Sequence, residues 1–364
     1  MRIVALEPCI VEVPLRRPVR GVHGVTAVQR SLLVRVATGE SVEGWGDVDP
    51  TPGYSRLSVE DIQEAVRRLG PALIGLDAFN VRAALAVMDA CIDGQSEAKA
   101  AVEMALCDLK ARALGVPLAS LLGGRVKDRI TLNAWIGTVP PAQAAAEAQD
   151  WLARGFASAK IKLEGPDPQG LARVAAVREA VGDGLALRVD FNESLPLAEA
   201  VPFIRKLEPF RLTLVEQPVP REQIAALAEI RRGIGIPLMA DESVTGPASL
   251  VEIIRRDAAD IVKVKVMKQG GLTRTLAMVE TAAAAGLGVV IGHGFGLTLS
   301  TLAEATVAAV SPAVLEGCEA VGPLKMAGDV VGAPAILDHG VITLPDTPGL
   351  GADVDRRELA RYRR

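Results

Sequence analysis

The chain has 364 residues, 49% of them hydrophobic but only 3% aromatic, with a net charge of −4 and a pI near 5.6. That length exceeds one ordinary compact domain, and the apolar content supplies a large core of Ala, Val, Leu and Ile. The even charge, without a basic block, excludes nucleic acid as the expected partner.

No apolar run approaches the roughly 20 residues of a membrane span, so no membrane partner is expected. The first fifteen residues lack the basic start, long apolar stretch and small-residue cleavage site of a signal peptide. Cys9, Cys91, Cys107 and Cys318 show no CxxC or CxxH spacing and read as reduced thiols. The expectation is a soluble cytoplasmic protein.

In chain order, strand-like runs come first, around residues 3–13 and 30–36, with a Gly-rich loop at 21–26 between them. Helical patterns follow at 59–69, 79–90 and 96–114. In the last, Ala100, Met104, Cys107, Ala111 and Leu114 recur at steps of three and four, which places them on one face. Gly115 then stops the helix. Strands followed by a helical block predict a separate α+β domain over 1–125.

From about Ile130 the rhythm changes. Strand-like runs end near Trp135, Lys162, Asp190, Glu216, Asp241, Lys265, His293 and Glu319. Ala-rich helical segments such as 141–154, 169–181 and 248–256 separate them. This alternation predicts an α/β fold over 126–321, a closed parallel barrel of the TIM type. An open doubly wound sheet is the alternative. It normally carries a Gly-rich phosphate loop after its first strand, and neither GxGxxG nor a Walker A pattern is present. The tail, 322–364, breaks the rhythm with Gly-Pro and Pro-Gly turns and is expected to return to the first domain.

Asp190, Glu216 and Asp241 stand roughly 25 residues apart in RVDFNES, LVEQPVP and LMADESV, about one strand, one helix and two short loops. In such a barrel the C-terminal strand ends form the active-site face. Three carboxylates converging there repel one another unless a hard divalent cation intervenes, and all-oxygen donors favour Mg²⁺ or Mn²⁺ over zinc. Helix capping is the competing reading for each acid alone. It weakens for three acids at one period and one strand position.

Lysines flank the acids. AKIKLE puts Lys160 and Lys162 on the same side of one strand. VKVKVMKQGG puts Lys265 one βα unit beyond Asp241. The second and sixth strands of an eight-stranded ring lie on opposite sides of the mouth, so Lys162 and Lys265 can face each other across a substrate. Charges at the tip of a buried strand are costly without a purpose. Such a site suits proton removal from a carbon next to a carboxylate, with the resulting enediolate stabilised electrostatically.

KIK, DFN, EQP, ADES and KVMKQGG, in this order and spacing, resemble the enolase superfamily, in its muconate-lactonizing-enzyme subgroup. GWGDVDP and the long helix before residues 121–124 extend the resemblance to the family's capping domain, over nearly the whole chain. The resemblance implies a modified TIM barrel, (β/α)₇β, under an N-terminal α+β capping domain, and a homo-oligomer. It also implies one Mg²⁺ held by Asp190, Glu216 and Asp241, with Lys162 as one acid/base, Lys160 supporting it electrostatically, and Lys265 acting on the opposite face.

In the mandelate-racemase-like subgroup a histidine at the position of His293 works with an aspartate at the sixth strand end. That sixth position is Lys265 here, so His293 is expected to contact substrate or to order a loop. Dipeptide epimerases carry a DxD pair on the eighth strand that holds the substrate ammonium. This chain reads CEAVGPLK, with Glu319 and Val321 there, which argues against that activity. The stretch also resembles the ELFGP of muconate cycloisomerases, which makes Glu319 a candidate substrate contact, with a structural ion pair as the alternative. Asn192 and His23 are the other candidate substrate contacts. His23 lies in a loop around 19–26, where Gly21 and Gly24 would permit closure. Lys263 replaces an Asn common in relatives, and is expected below Lys265, paired with an acid.

The resulting expectation is a Mg²⁺-dependent isomerase that abstracts a proton α to the carboxylate of a small substrate. Racemisation or epimerisation of a small amino-acid derivative ranks first, muconate-type cycloisomerisation second, and dehydration of a hydroxy acid or hydroxyproline-like substrate third. A metal-dependent carboxylate-binding protein without turnover is the non-enzymatic reading, and the opposed lysines argue against it.

Overall fold

β1 (Ile3–Gly21), β2 (Gly24–Thr38) and β3 (Glu43–Val48) form an antiparallel sheet in the order β1-β2-β3. The computed structural model describes residues 1–21, 24–51, 55–333 and 337–364, so the candidate His23 lies outside the described residues. The stretch read as a loop is instead the end of a hairpin: pairing continues from Val19↔Thr26 to Gly21↔Gly24, after a register shift between Pro14 and Val19. Strand pairing uses backbone groups and needs no apolar alternation, so the polar run Arg16–Arg17 concealed it.

Helices α1 (Val59–Leu73) and α3 (Ser96–Leu114) pack on this sheet, and α2 (Val81–Cys91) packs against both of them. A reciprocal capping box between Ser58 and Asp61 starts α1, and Asn80 caps α2. Helix α3 approaches β3 at Gly44 and Gly46. A Cβ at Gly46 would lie 2.0 Å from the Ala101 carbonyl oxygen, so only glycine fits.

Every residue of α3 from Ala98 to Leu109 is buried, which a one-faced pattern does not predict. The helix is enclosed between the sheet and the barrel, and its polar side chains tie the two together. Glu103 accepts from the Leu272 and Thr273 backbone N–H groups (2.8 and 3.0 Å), capping the barrel helix Leu272–Ala284. Asp108 accepts from the backbone N–H groups of Trp45 (2.9 Å) and Leu350 (2.7 Å).

After β4 (Arg129–Thr131), seven strands form one parallel sheet in sequential order: β5 (Ala134–Ile136), β6 (Ser158–Lys162), β7 (Ala186–Asp190), β8 (Leu214–Glu216), β9 (Leu238–Ala240), β10 (Ile261–Val264) and β11 (Gly288–Ile291). Residues 314–319 close it. Val314 bridges Val289 and Cys318 bridges Leu132, both in parallel, and Glu319 N–H donates to the Ile291 carbonyl at 2.8 Å. The product is a modified TIM barrel of (β/α)₇β form, with the N-terminal strand-and-helix unit as its capping domain.

The chain then forms β12 (Leu337–Asp338) and β13 (Val341–Thr343), which extend β4 antiparallel. Its last residues return to β1, where Arg363 bridges Val11 and Arg364 N–H donates to the Ile10 carbonyl at 3.0 Å. Among the described residues no helix is long and apolar enough to cross a membrane.

Candidate active site

Strand register gathers the charged residues at the C-terminal mouth of the barrel. Lys162 of β6 pairs in register with Asp190 of β7, and Asp190 with Glu216 of β8. Asp241 immediately follows β9, and Lys265 immediately follows β10. Lys160, Lys162, Asp190, Asp241 and Lys265 line one cavity of about 280 Å³, roofed by Val19 and Val25 of the capping hairpin. Its size suits a small substrate.

Asp190 and Asp241 at the mouth are each bonded to lysine. Lys162 donates to Asp190 Oδ2 and Asn192 Oδ1, both at 2.6 Å. Lys265 donates to both Asp241 oxygens at 2.7 Å, and Lys268 to Asp241 Oδ1 at 2.9 Å. Burial alone would raise the Asp241 pKa, but Lys265, Lys268 and Lys263 hold it well below the ordinary carboxylate range. Lys265 shares that one carboxylate with two other ammonium groups. Its own burial is therefore not offset, and its pKa falls to about 7.

Beneath the mouth, Lys160 and Lys263 alternate with Glu216 and Glu319 in a four-membered ring that also reaches Asp190 and Asp241. Lys160 Nζ is 2.9 Å from Glu216 Oε2 and 2.5 Å from Glu319 Oε2. Lys263 Nζ is 2.9 Å from Glu216 Oε1 and also bonds Glu319 Oε2. All four side chains are at most 6% exposed. Lys263 thus lies among acids, as its place below Lys265 suggests. Glu319 is committed to this ring through Oε2, while its Oε1 has no hydrogen-bond partner among the described residues.

Asn192 adopts a left-handed backbone conformation (φ 42°), tolerated by Asn. It links Lys162 to Glu242, to which its Nδ2 donates at 3.0 Å. His293 is buried between the helix Thr298–Val310 and the capping domain. Its Nδ1 is 3.2 Å from Glu304 Oε1, and its Nε2 lies 3.5 Å from Asp49 Oδ2 without hydrogen-bond geometry. Burial opposes its charge, but Glu304 and Asp49 outweigh it and raise the pKa to about 9.

Three residues at the site escaped the sequence reading. Lys268 and Glu242 stand within the motifs KVMKQGG and ADES, so proximity to Lys265 and Asp241 was their only signal. Lys325, in a short turn after Glu319, also lines the cavity, under the rings of Trp135 and Phe295. Nothing local marks it.

By the chemistry of their oxygen donors the three carboxylates fit a hard cation. Lys160 Nζ lies 3.0 Å from Asp190 and 2.9 Å from Glu216, and Lys263 Nζ lies 2.9 Å from Glu216 and 3.6 Å from Asp241. Each neighbouring pair of acids therefore already gathers around one cation. Among the described residues no three His, Cys, Asp or Glu side chains form a preassembled cluster, and the lysine ammonium groups stand between the acids. Glu242 Oε2, buried and without a hydrogen-bond partner among the described residues, adds a further oxygen beside Asp241.

Comparison with known proteins identifies the family. The model of the mandelate racemase / muconate lactonizing enzyme N-terminal domain matches residues 5–123, and that of the enolase C-terminal domain-like family matches 143–358. Chloromuconate cycloisomerase CbnB of Cupriavidus necator is 34% identical, with 100% of both chains covered. The N-succinyl Arg/Lys racemase structure from Bacillus cereus ATCC 14579 superposes with a TM-score of 0.96 at 30% identity, covering 100% of this chain and 98% of that one. The dipeptide epimerase from Cytophaga hutchinsonii, complexed with Mg and the dipeptide D-Ala-L-Val, gives 0.94 at 30% identity, with 100% and 98% covered. The chain belongs to the enolase superfamily, in its muconate-lactonizing-enzyme subgroup, and is an isomerase of that superfamily.

Proposed function

We propose that this isomerase is Mg²⁺-dependent and removes a proton α to a carboxylate, acting as a racemase or epimerase of a small amino-acid derivative. The observation that carries this reading is the placement of Lys162 and Lys265, on the second and sixth barrel strands, around one small cavity. With a pKa near 7, Lys265 is poised to accept the α-proton in its neutral form. Lys162, on the other side, is oriented by Asn192 and Asp190 and returns a proton to the opposite face of the carbon. One proton leaves, one is added, and the configuration inverts. Mg²⁺, held by Asp190, Glu216 and Asp241, would supply electrostatic stabilisation of the charge that develops on the substrate carboxylate.

The eighth-strand wall narrows the substrate. Glu319 is engaged by Lys160 and Lys263, and the next inward position is Val321, so this wall offers a substrate ammonium no second acid. A derivative whose amino group is acylated fits better than a free amine. The 34% identity to a chloromuconate cycloisomerase supports the second reading, lactone formation through the same intermediate.

The test is a deuterium-exchange screen of small carboxylates in D₂O with Mg²⁺, repeated with chelator and with Lys162→Ala and Lys265→Ala. A racemase loses conversion in both variants and keeps one-sided exchange in each. A cycloisomerase depends chiefly on one lysine. Absence of α-proton exchange across a broad panel would overturn the proposal.

A further inference from the structure

We propose a second ligand site, separate from the catalytic cavity, in the groove where the capping hairpin crosses the barrel: a receptor for a small organic anion with an apolar body. It stands independently of the proton-transfer reading above. The groove has a volume of about 830 Å³ and runs between residues 16–19 of β1, the barrel helix Pro141–Ala153 and the turn Gly322–Lys325. None of Lys160, Lys162, Asp190, Asp241 and Lys265 lines it.

An irregularity in the hairpin forms one wall. From Pro14 to Val19 β1 advances five residues while β2 advances two, from Val28 to Thr26, so the chain bulges out of the ladder. The bulge is fastened to the barrel. Leu15 bridges Met326, and the Ala327 N–H donates to the Pro14 carbonyl at 2.8 Å. Bulges re-aim side chains, and here Arg16 and Arg17 both line the groove. Both are exposed, and among the described residues neither guanidinium has a carboxylate within 4.0 Å.

The opposite wall is aromatic and apolar. Trp151 is 7% exposed, the rings of Trp135 and Trp151 pack with centroids 4.5 Å apart, and Leu324 lies beside them. The Arg154 guanidinium lies 4.1 Å from the Trp151 ring centroid and 3.6 Å from Asp150. Arg154 thus offsets Asp150, which leaves Arg16 and Arg17 against Glu147 and an excess of positive charge in the groove.

A concave apolar lining with a few placed polar groups is the ordinary form of a small-molecule site. Guanidinium forks match the paired oxygens of a carboxylate or phosphate. The occupant is therefore an anion whose head meets Arg16 and Arg17 and whose body lies on Trp135 and Trp151. It touches the capping domain and the barrel at once.

The test is calorimetric titration of the full chain, in chelator, with 2-naphthoate, 2-naphthyl phosphate and the neutral 2-naphthamide. At least one anion should bind about 10-fold or more tightly than the amide, the range of a hydrogen bond to a charged group. The tighter of the two anions identifies the head group. Arg16→Gln/Arg17→Gln should abolish the preference, and Glu147→Gln should strengthen it. Arg67→Gln/Arg68→Gln, an adjacent exposed pair on α1, removes the same charge and should change nothing.

Fluorescence gives a second readout. The chain has three tryptophans, so Trp45→Phe leaves Trp135 and Trp151 as the emitters. Their emission should respond to the anion, and the response should vanish when Arg16→Gln/Arg17→Gln is added. Equal weakening by both arginine pairs would reduce the effect to net charge and overturn the assignment. Binding that survives Arg16→Gln/Arg17→Gln but is lost in Lys265→Ala belongs to the catalytic cavity and overturns it equally. So does the absence of any preference for the anions over the amide.

Discussion

Replacing Lys263 by Met tests the four-charge ring on the barrel floor. Two ammonium groups and two carboxyl groups alternate in this ring; burial and the nearby Asp190 push the Glu216 pKa up to about 8, so the four charges cancel above that pH and the comparison is made near pH 9. Removing Lys263 leaves Glu216 Oε1 without its donor and Glu319 with Lys160 alone, and one net negative charge stays buried. Breaking a buried ion pair in this way costs about 3–5 kcal/mol. Unfolding entropy near 2.1 cal/mol/K per residue over 364 residues converts this to a Tm lowered by about 4–7 °C. Adding Glu319→Gln restores neutrality with little change of shape. The double variant should therefore recover more than half of the loss, with a coupling of about 2 kcal/mol in the mutant cycle. Thermal unfolding is followed in chelator, so that metal binding adds no stabilisation of its own. If the two substitutions destabilise additively, the ring does not act as a unit and the reasoning fails.

His293 predicts a pH dependence of stability. Its folded pKa of about 9 lies above the unfolded value near 6.5, so its contribution is complete below about pH 6.5 and is lost as the pH rises through 9. The shift bounds that contribution at about 3 kcal/mol. Other buried groups, Lys265 among them, titrate in the same window with the opposite sign, so the test is the difference: between pH 6 and 9.5 the wild-type urea midpoint should fall relative to that of His293→Gln, and parallel curves would refute the assignment. Gly46→Ala should destabilise by about 3 kcal/mol, because the new methyl meets backbone atoms of α3, the Ala101 carbonyl oxygen at 2.0 Å and the Ala105 nitrogen at 2.9 Å. Gly246→Ala, where a Cβ would meet nothing within 4 Å, serves as the control and should leave Tm nearly unchanged.

The features legible in the sequence are those with a local period. Strand and helix alternate at a nearly constant interval, so the ends of β6 to β10 and the charged side chains on them could be placed before any coordinates. The hairpin around Gly21 and Gly24 was hidden because its pairing runs through backbone groups while its side chains follow no apolar alternation. Helix α3 read as one-faced because its interior includes Lys99, Glu103 and Asp108, whose partners lie elsewhere in the chain. Glu103 caps a barrel helix 169 residues away. Lys325 was equally invisible, since it meets Trp135 and Phe295 only once the barrel closes.

Lys263 links the floor of the site to its specificity. The Asn common in relatives at this position could donate a hydrogen bond but would bring no charge. A lysine there introduces a buried cation, and Glu319 meets it together with Lys160. The acid nearest the substrate on the eighth-strand wall is thereby committed to the floor. What remains on that wall is Val321, apolar, and Lys325, cationic and without a carboxylate of its own among the described residues. A wall of that composition gives a substrate ammonium no anionic partner, in keeping with the amine-blocked substrate proposed above. On the proposed reading, the floor lysine thus acts on selectivity without touching substrate: by drawing Glu319 downward it removes an anchor for a free amine, while Lys162 and Lys265 keep their places around the cavity.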